Sequence, residues 1–403
     1  MNLYDELVWR GLIKDVSNEN LAKKLLNEES ISFYCGFDPS APSLQLGNFT
    51  QIVKMLLLEK YGHKPIVLIG GATGLIGDPK QSGERKLLTL EESLKNAEKI
   101  KSQITPMFKT ATFVNNYDWI SKIDVITFLR DYGKSFNINS MLAKDTVANR
   151  LENGISYTEF SYMIIQAIDF LHLYQNNNCL LQFGGSDQWG NITSGLDLIR
   201  KNLGDNSKVI GMSSPLLTKS DGTKFGKSES GALWLDKELT SPYEMYQYLI
   251  NTPDADVISY LKYLTLLSVE EINELEIKKN NHPELREAQK ALAKEVVALI
   301  HGEEEALKAK EASEKVFNSG MADNMPTQKI NLPTDINILD FLVNINICPS
   351  KSEARRNIEQ GGITINKEKI FDVNKIISKT DFEEGYLIVK KGKKTFLKVE
   401  LNE

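Results

Sequence analysis

Apolar positions along the chain follow two alternating rhythms. The run Ile31-Ser32-Phe33-Tyr34-Cys35-Gly36-Phe37 is short, β-rich and closed by Gly36, Pro39 and Pro42, after which Leu46, Phe49, Ile52, Val53, Leu56 and Leu57 recur at helical spacing. A strand therefore runs straight into a helix. The same change of rhythm returns in a strand over 65–69 before the glycine-rich 70–79, a possible strand over 112–114, a helical 125–131, an apolar helix over 157–173, a strand over 180–183 and a helix over 192–201. This alternation predicts an α/β domain with a doubly wound parallel sheet. From 241 to about 317 the pattern is helical and charged, with helices expected over 242–251, 256–267, 269–278 and 283–315. Residues 318–337, polar and interrupted by Gly320, Pro326 and Pro333, read as a linker. Residues 338–403 form a separate compact unit, in which 350–356 begins a capped helix and 363–366 is a strand after Gly361-Gly362. The expected domains are 1–218, 219–317 and 338–403, joined by the linker.

The chemistry starts where the first strand meets its helix. Unpaired N–H groups and the positive dipole end of a helix N-terminus attract phosphate, and Gly47 leaves a bare stretch of backbone for a flat base. Among Asp38, Ser40, Gln45, Asn48 and Gln51 in this turn, only Asp38 is a strong acid or base, so the turn is suited to holding a ligand and not to proton transfer. The loop 70–79 carries four glycines in eight residues but matches neither GxGxxG nor a Walker loop. Asp78 at its end could pair with a substrate amine, and Lys80, Arg85 and Lys86 form a basic flap beside it. On the apolar helix, Glu159, Tyr162, Gln166 and Asp169 lie three, four and three residues apart, on one stripe. A polar row on a helix that is apolar elsewhere faces a cavity or carries a heavy desolvation cost, and this one suits a zwitterionic amino acid. Asp187, in the glycine turn 184–191, is placed to take ribose hydroxyls. The segment 217–228 is a lysine loop, whose Lys224 and Lys227 can close on a polyphosphate.

Composition narrows this little. The 403 residues, 41% hydrophobic and 25% charged, fit two or three ordinary globular domains, and a net charge of −6 argues against a polyanion binder using its whole surface. Residues 336–403 carry +2 and the remainder −8, a shift in the direction RNA binding needs. Three scattered cysteines and four histidines show no metal-ligand spacing, so neither disulfide framework nor structural metal is expected. Residues 1–15 are amphipathic and unlike a signal peptide, and no apolar run is of membrane-spanning length, which makes the cytoplasm the expected location.

Two short runs carry a resemblance. Gln45-Leu46-Gly47-Asn48 stands where class I aminoacyl-tRNA synthetases have His-x-Gly-His, and Lys224-Phe225-Gly226-Lys227-Ser228 resembles their Lys-Met-Ser-Lys-Ser. The side-chain amides of Gln45 and Asn48 can present an N–H donor where a neutral imidazole would, without the option of charge. With residues 34–39, 71–79, 158–162 and 184–191, the chain resembles the bacterial-type tyrosyl-tRNA synthetases essentially end to end. The resemblance implies a Rossmann-like catalytic domain, an α-helical anticodon-side domain and a small α+β S4-like RNA-binding domain. It implies L-tyrosine, ATP with Mg²⁺, and tRNA(Tyr) as ligands, tyrosyl-adenylate as intermediate, and a homodimer. It gives Tyr34 and Asp169 the substrate phenol, Asp78, Tyr162 and Gln166 the α-ammonium, and Gln188 the reacting carboxylate. Cys35 and Asp187 fall on the ribose positions, with Gly36 and Asp38 beside the nucleotide and Gly47 and Gly185 as backbone approaches. Ser40, Gln45, Asn48, Lys224, Lys227 and Ser228 serve the phosphates, with Lys80 and Arg85 as a second flap, and Lys351, Arg355 and Arg356 contact RNA. A buried carboxylate left without a hydroxyl partner rejects phenylalanine, a discrimination for which tyrosyl enzymes are themselves the standard example. The alternative from another class is a synthetase-like RNA-binding protein without catalysis.

Overall fold

The computed structural model describes residues 1–79, 87–152, 154–220, 222–223, 225–228, 231–319, 326–332, 335–366, 368–382, 385–392 and 395–402; the side chains of 145, 146, 227, 228 and 315–319 are not described. The main sheet has six strands, β1 Asp15–Val16, β2 Ser32–Phe37, β3 Lys64–Ile69, β4 Thr112–Asn115, β5 Cys179–Gly185 and β6 Ile210–Ser214, in the order β1-β6-β5-β2-β3-β4. Strands β2 to β6 are parallel, and β1 pairs antiparallel with β6. The chain winds from β2 out to β3 and β4, then crosses to β5 and β6 on the other side. The winding reverses between β2 and β5, which opens a crevice at their carboxyl ends.

The apolar rhythm of the strands follows from helices on both faces. Phe33, Tyr34 and Cys35 are successive residues of β2, yet all three are buried, because neither face meets solvent. The helix Leu46–Lys60 leaves β2 almost at once, burying Leu46, Phe49, Ile52 and Val53. The long helix Tyr157–Asn177 packs on the helix Trp189–Leu203. Gly195 allows their approach, since a Cβ there would stand 3.1 Å from the Phe170 ring. Asn178 ends the long helix at φ +49°, a left-handed position that asparagine tolerates.

Three expected elements differ. The glycine loop contains a helical turn, Thr73–Ile76, held by the Asn116 side chain, which accepts the Ala72 N–H at 2.8 Å. The helical 125–131 is a single turn, Val125–Thr127, passing into a π-helical turn, Phe128–Tyr132. The long helix over 283–315 breaks at Gly302, whose φ of +92° only glycine adopts easily, into Glu287–His301 and Glu303–Ser319.

The chain forms two compact units, 1–236 with 255–280, and 237–254 with 281–403. In the second, the helix Pro242–Ile250 packs on Glu287–His301 and Glu303–Ser319. Its sheet runs Glu368–Ile370, Ile363–Ile365, Tyr386–Lys391, Thr395–Leu401, Thr327–Ile330. The last of these comes from the segment read as linker and pairs in parallel with Thr395–Leu401. The helices Ile338–Asn344 and Lys351–Glu359 cover this sheet around Phe341, Leu342, Ile358 and Val389, all buried. Ser350 caps the second helix by accepting the Glu353 N–H.

Within the first unit, Arg10 ties the N-terminal helix Leu3–Trp9 to the helix Val257–Leu264. It is 1% exposed, bonds Glu6 at 2.8 Å, and donates to the carbonyls of Lys262, Thr265 and Leu267 that the ending helix leaves open. Removing the guanidinium leaves the buried Glu6 carboxylate without its cation, held by the Tyr61 hydroxyl, and takes the Arg10 donor from three carbonyls. Arg10→Ala is expected to lose about 3–5 kcal/mol of stability. Urea unfolding would read this as a lower midpoint at unchanged slope, and Arg10→Lys recovers little because an ammonium cannot fan out to four acceptors.

Candidate active site

A continuous chain of hydrogen bonds crosses the crevice. Asp38, just past β2, accepts from Tyr162 Oη at 2.8 Å and from Thr73 Oγ1 at 2.7 Å. Thr73 Oγ1 in turn accepts from Asn116 Nδ2 at 3.0 Å, and the same Nδ2 donates to Asp169 at 2.9 Å. Trp119 Nε1 donates to the other Asp169 oxygen at 2.9 Å, and its indole stacks on His172 at 4.2 Å. Gly70 is required where the chain bends, because a Cβ there would come 2.2 Å from Asp38 Oδ1. Glu159, first of the polar stripe, turns instead to Arg150 in a buried ion pair of 3.0 Å.

The polar stripe thus reaches the crevice with Tyr162, Gln166 and Asp169. Burial pushes the Asp169 carboxyl up to about 7, although the two donors pull it down. Two buried atoms in the same region find no hydrogen-bond partner, the Tyr34 hydroxyl and Gln166 Oε1. Tyr34 packs at 5.4 Å from the Phe170 ring, and burial, then the Asp169 charge, hold its phenol well above the ordinary range. A hydroxyl offered beside a carboxylate, both in a dry pocket, matches a ligand phenol.

Asp78 lies at the other end. It accepts from Gln188 Nε2 at 2.8 Å and Asn191 Nδ2 at 3.2 Å, and burial raises it to about 6. Gln188 Nε2 also reaches Asp187 at 3.3 Å. Asp187 is exposed, and Gly185 must lack a side chain because a Cβ would stand 2.4 Å from Asp187 Oδ1. Three carboxylates, Asp38, Asp78 and Asp187, therefore surround the space in front of Tyr162 and Gln188, a field that favours an ammonium.

The turn expected from sequence to take a phosphate is formed by the start of the helix Leu46–Lys60. Gln45 is its N-cap residue, and Asn48 Oδ1 accepts the Gln45 N–H at 3.0 Å, which leaves the Asn48 amide N–H₂ outward. Gly36, Ser40, Gly47 and Asn48 are exposed, whereas Cys35 is buried and its thiol is pushed up to about 11 by burial. The lysine loop folds onto this turn. Leu46 N–H bonds the Leu233 carbonyl at 2.8 Å, and a Cβ on Gly226, at φ +85°, would stand 2.9 Å from the Gly47 nitrogen. Phe225 anchors the loop edge-on against Tyr260 at 4.8 Å. The two signature runs are thereby brought together. Lys80, Arg85 and Lys224 lie outside the described residues, as do the side chains of Lys227 and Ser228.

Thr73, Asn116, Trp119 and Asn191 are absent from the residues expected from sequence. For Asn116 and Trp119 there was a signal, a polar Asn-Asn-Tyr-Asp-Trp run at the carboxyl end of a parallel strand. In the second unit, Arg355 and Arg356 are exposed on the helix Lys351–Glu359, while Lys351 is paired with Asp340 at 2.5 Å.

The chain matches the family model of tRNA synthetases class I (W and Y) over residues 26–318, and that of the tyrosine--tRNA ligase SYY-like C-terminal domain over 317–399. It is 48% identical over 416 residues to a tyrosine--tRNA ligase of Listeria welshimeri, covering 99% of both chains. It is 50% identical over 407 residues to the tyrosine--tRNA ligase of Onion yellows phytoplasma, covering 98% of both. A C-terminally truncated mitochondrial tyrosyl-tRNA synthetase of Aspergillus nidulans superposes with TM-score 0.71 at 32% identity, over 78% of this chain and 94% of its own. The tyrosyl-tRNA synthetase of Archaeoglobus fulgidus, solved with L-tyrosine, shares the fold at TM-score 0.56 and 20% identity, over 76% and 99%.

Asp169 makes a testable link between site and stability. Its folded value of about 7 lies above the 3.8 of an ordinary aspartate, so the folded protein keeps a proton that the unfolded chain releases. Stability therefore falls as pH rises from about 4 to about 7 and stays lowered above. Asp169→Asn is expected to be more stable than the parent at pH 8 by about 1–3 kcal/mol, with the gain shrinking to nothing near pH 4. Thermal melts across that range would check it.

Proposed function

The chain belongs to the tyrosyl branch of the class I tRNA synthetases, and we propose that it attaches L-tyrosine to tRNA(Tyr) through a tyrosyl-adenylate. The observation that carries the reading is the buried, unpartnered Tyr34 hydroxyl beside the buried Asp169 carboxylate. A tyrosine phenol completes both: its O–H donates to Asp169 while its oxygen accepts from Tyr34. Tyrosine's α-ammonium lies against Asp78, Tyr162 and Gln166, and the three surrounding acids keep it charged.

Class I synthetases use ATP. Ribose hydroxyls go to Asp187 and to the β2 end at Cys35 and Gly36, and the base lies on the bare backbone at Gly47 and Gly185. Mg²⁺ would enter with the nucleotide as part of the substrate and would offset phosphate charge there. The tyrosine carboxylate, oriented by Gln188, attacks the α-phosphorus in line, and pyrophosphate leaves toward the helix N-terminus, where Ser40, Gln45 and Asn48 donate. Lys224, Lys227 and Ser228 close from the loop packed on Gly47, with Lys80 and Arg85 as a further flap. A ribose hydroxyl of the tRNA terminal adenosine then attacks the carbonyl and AMP departs. The work is positioning and charge stabilisation, with no covalent enzyme intermediate.

Residues 219–317 meet the anticodon side of the tRNA, and 338–403 act as an S4-like RNA-binding domain, recognising folded RNA by shape and backbone. A homodimer is supported by exposed Val125, Ile126, Leu129 and Ile138 in one stretch. Among the described residues no helix is long and apolar enough to cross a membrane, which agrees with work in the cytoplasm.

Tyrosine-dependent exchange of pyrophosphate into ATP, beside phenylalanine and tryptophan, tests the activity. Exchange with tyrosine alone is expected; none with any of the three, from folded protein that binds tRNA, would favour an RNA-binding protein without catalysis. Tyr34→Phe is expected to raise the tyrosine KM about three- to tenfold and to narrow the preference over phenylalanine by a like factor. For the tRNA, Arg355→Ala with Arg356→Ala is expected to weaken binding to all tRNAs and to reduce the slope of log affinity against log salt by about 1–2. Adenylate formation without tRNA should be unaffected.

A further inference from the structure

Lys54 is the one side chain of the helix Leu46–Lys60 whose chemistry is at odds with its place. It is 2% exposed, flanked by Val53 and Met55, each 1% exposed, and by Phe49, Ile52 and Leu58, each 0%. A leucine or methionine would fill this site without the cost of desolvating an ammonium. Among the described residues no carboxylate lies within ion-pair distance of it. Its Nζ donates to Ser214 Oγ and stands 5.0 Å above the Phe183 ring, so one of its three donors is used.

Its position is tied to the nucleotide turn. Ser214 lies opposite Gly185 in the β5–β6 register, and its hydroxyl donates to the Gly184 carbonyl at 3.4 Å. One turn earlier on the same helix face, Gln51 reaches Gly185, its Nε2 3.5 Å from where a Cβ would sit. The ammonium is therefore set beneath the Gly184-Gly185 backbone that approaches the nucleotide. Two ionisable groups face it, Cys35 from β2, a neutral thiol in this pH range, and Asp187 from the turn after β5, whose charge favours the ammonium. Ser214 and Phe183, from β6 and β5, are neutral. Burial outweighs these and lowers the amine to about 7. The first signature, with Gln45 and Asn48, has no titratable cation of its own.

We propose that Lys54 is a positioning residue for ATP: its buried ammonium holds the Asp187 turn and offsets the nucleotide's charge from beneath, and it takes up a proton as ATP binds. This rests on the tyrosine-activating reading above. Below about pH 7 the amine is already charged and ATP meets a prepared site; above it, part of the binding free energy goes into protonating Lys54, and affinity falls. A packing role predicts no such dependence.

The test is the KM for ATP in pyrophosphate exchange at saturating tyrosine, at pH 6.5 and 8.5, for the parent, Lys54→Met and Lys54→Arg. In the parent the KM is expected to rise about tenfold between the two pH values. Lys54→Met should be high at both, Lys54→Arg low at both because a guanidinium does not titrate, and at each pH the tyrosine KM should be the same in all three proteins, since any drift with Asp169 and Asp78 is common to them. Calorimetry of MgATP binding by the parent at pH 8, in two buffers of different ionisation enthalpy, should read proton uptake that Lys54→Met lacks. This keeps the proposal testable if Lys54→Arg fails to fold. A folded Lys54→Met with the parent's ATP KM at pH 6.5, or one in which the KM values for ATP and tyrosine rise together as the melting temperature drops, would overturn it. Absence of exchange in the parent itself would instead count against tyrosine activation, and the calorimetric difference would then decide the Lys54 proposal alone.

Discussion

Carboxylates held in a dry crevice by neutral donors are the constraint on which the rest of this site depends. Asp38 and Asp78 follow β2 and β3, and Asp169 reaches from the helix Tyr157–Asn177 to Asn116 and Trp119 just past β4, where the carboxyl ends of the parallel strands open the sheet. Asp78 and Asp169 are pushed toward neutrality by burial and restrained by amide and indole N–H groups alone. An arginine or lysine partner would satisfy them and end their use, because a paired acid has no field left for a ligand. Neutral donors orient the oxygens while leaving the charge available, which is what recognition of an ammonium and a phenol at opposite ends of one ligand requires.

The same choice explains why the glycine loop bends as it does. Thr73 has to reach both Asp38 and Asn116, and it can do so only because Gly70 has no side chain: a Cβ there would stand 2.2 Å from Asp38 Oδ1 and 2.3 Å from Thr73 Oγ1. A loop rich in glycine and unlike any phosphate motif is thus a support for the hydrogen-bond chain of the proposed amino-acid pocket. Its glycines permit close packing against side chains, where a phosphate loop would use them to approach a ligand.

How far this was legible in the sequence depended on whether the signal was local. The alternation of strand and helix placed β2, β3 and β5 to within a residue or two, and the three-four-three spacing put Tyr162, Gln166 and Asp169 on one face. Glu159 shares that spacing but is drawn off by Arg150, since spacing fixes a face and says nothing of a partner nine residues upstream in the chain. Thr73, Asn116 and Asn191 are polar residues beside glycines or other polar residues, with no period to mark them. Their roles exist only once β2, β3, β4 and β5 are side by side. The break at Gly302 was hidden because charged helices on both sides continue the same rhythm. The strand Thr327–Ile330 was hidden because four residues next to Pro326 look like linker until Thr395–Leu401 is there to pair with them.

Cation placement follows a division that the two signature runs make visible. Gly226 against Gly47 packs the segment that carries the second signature onto the helix start with no room for a side chain between, so in the proposed reaction the cations for the phosphates come from that loop while the helix start itself presents amides. A charge buried at Lys54 is of another kind, fixed in place by Ser214 and responsive only through its proton. In a first signature stripped of imidazole, a lysine set under the nucleotide turn restores a cation that does not have to move, and its acidity near neutrality makes its charge depend on whether the anionic ligand is there.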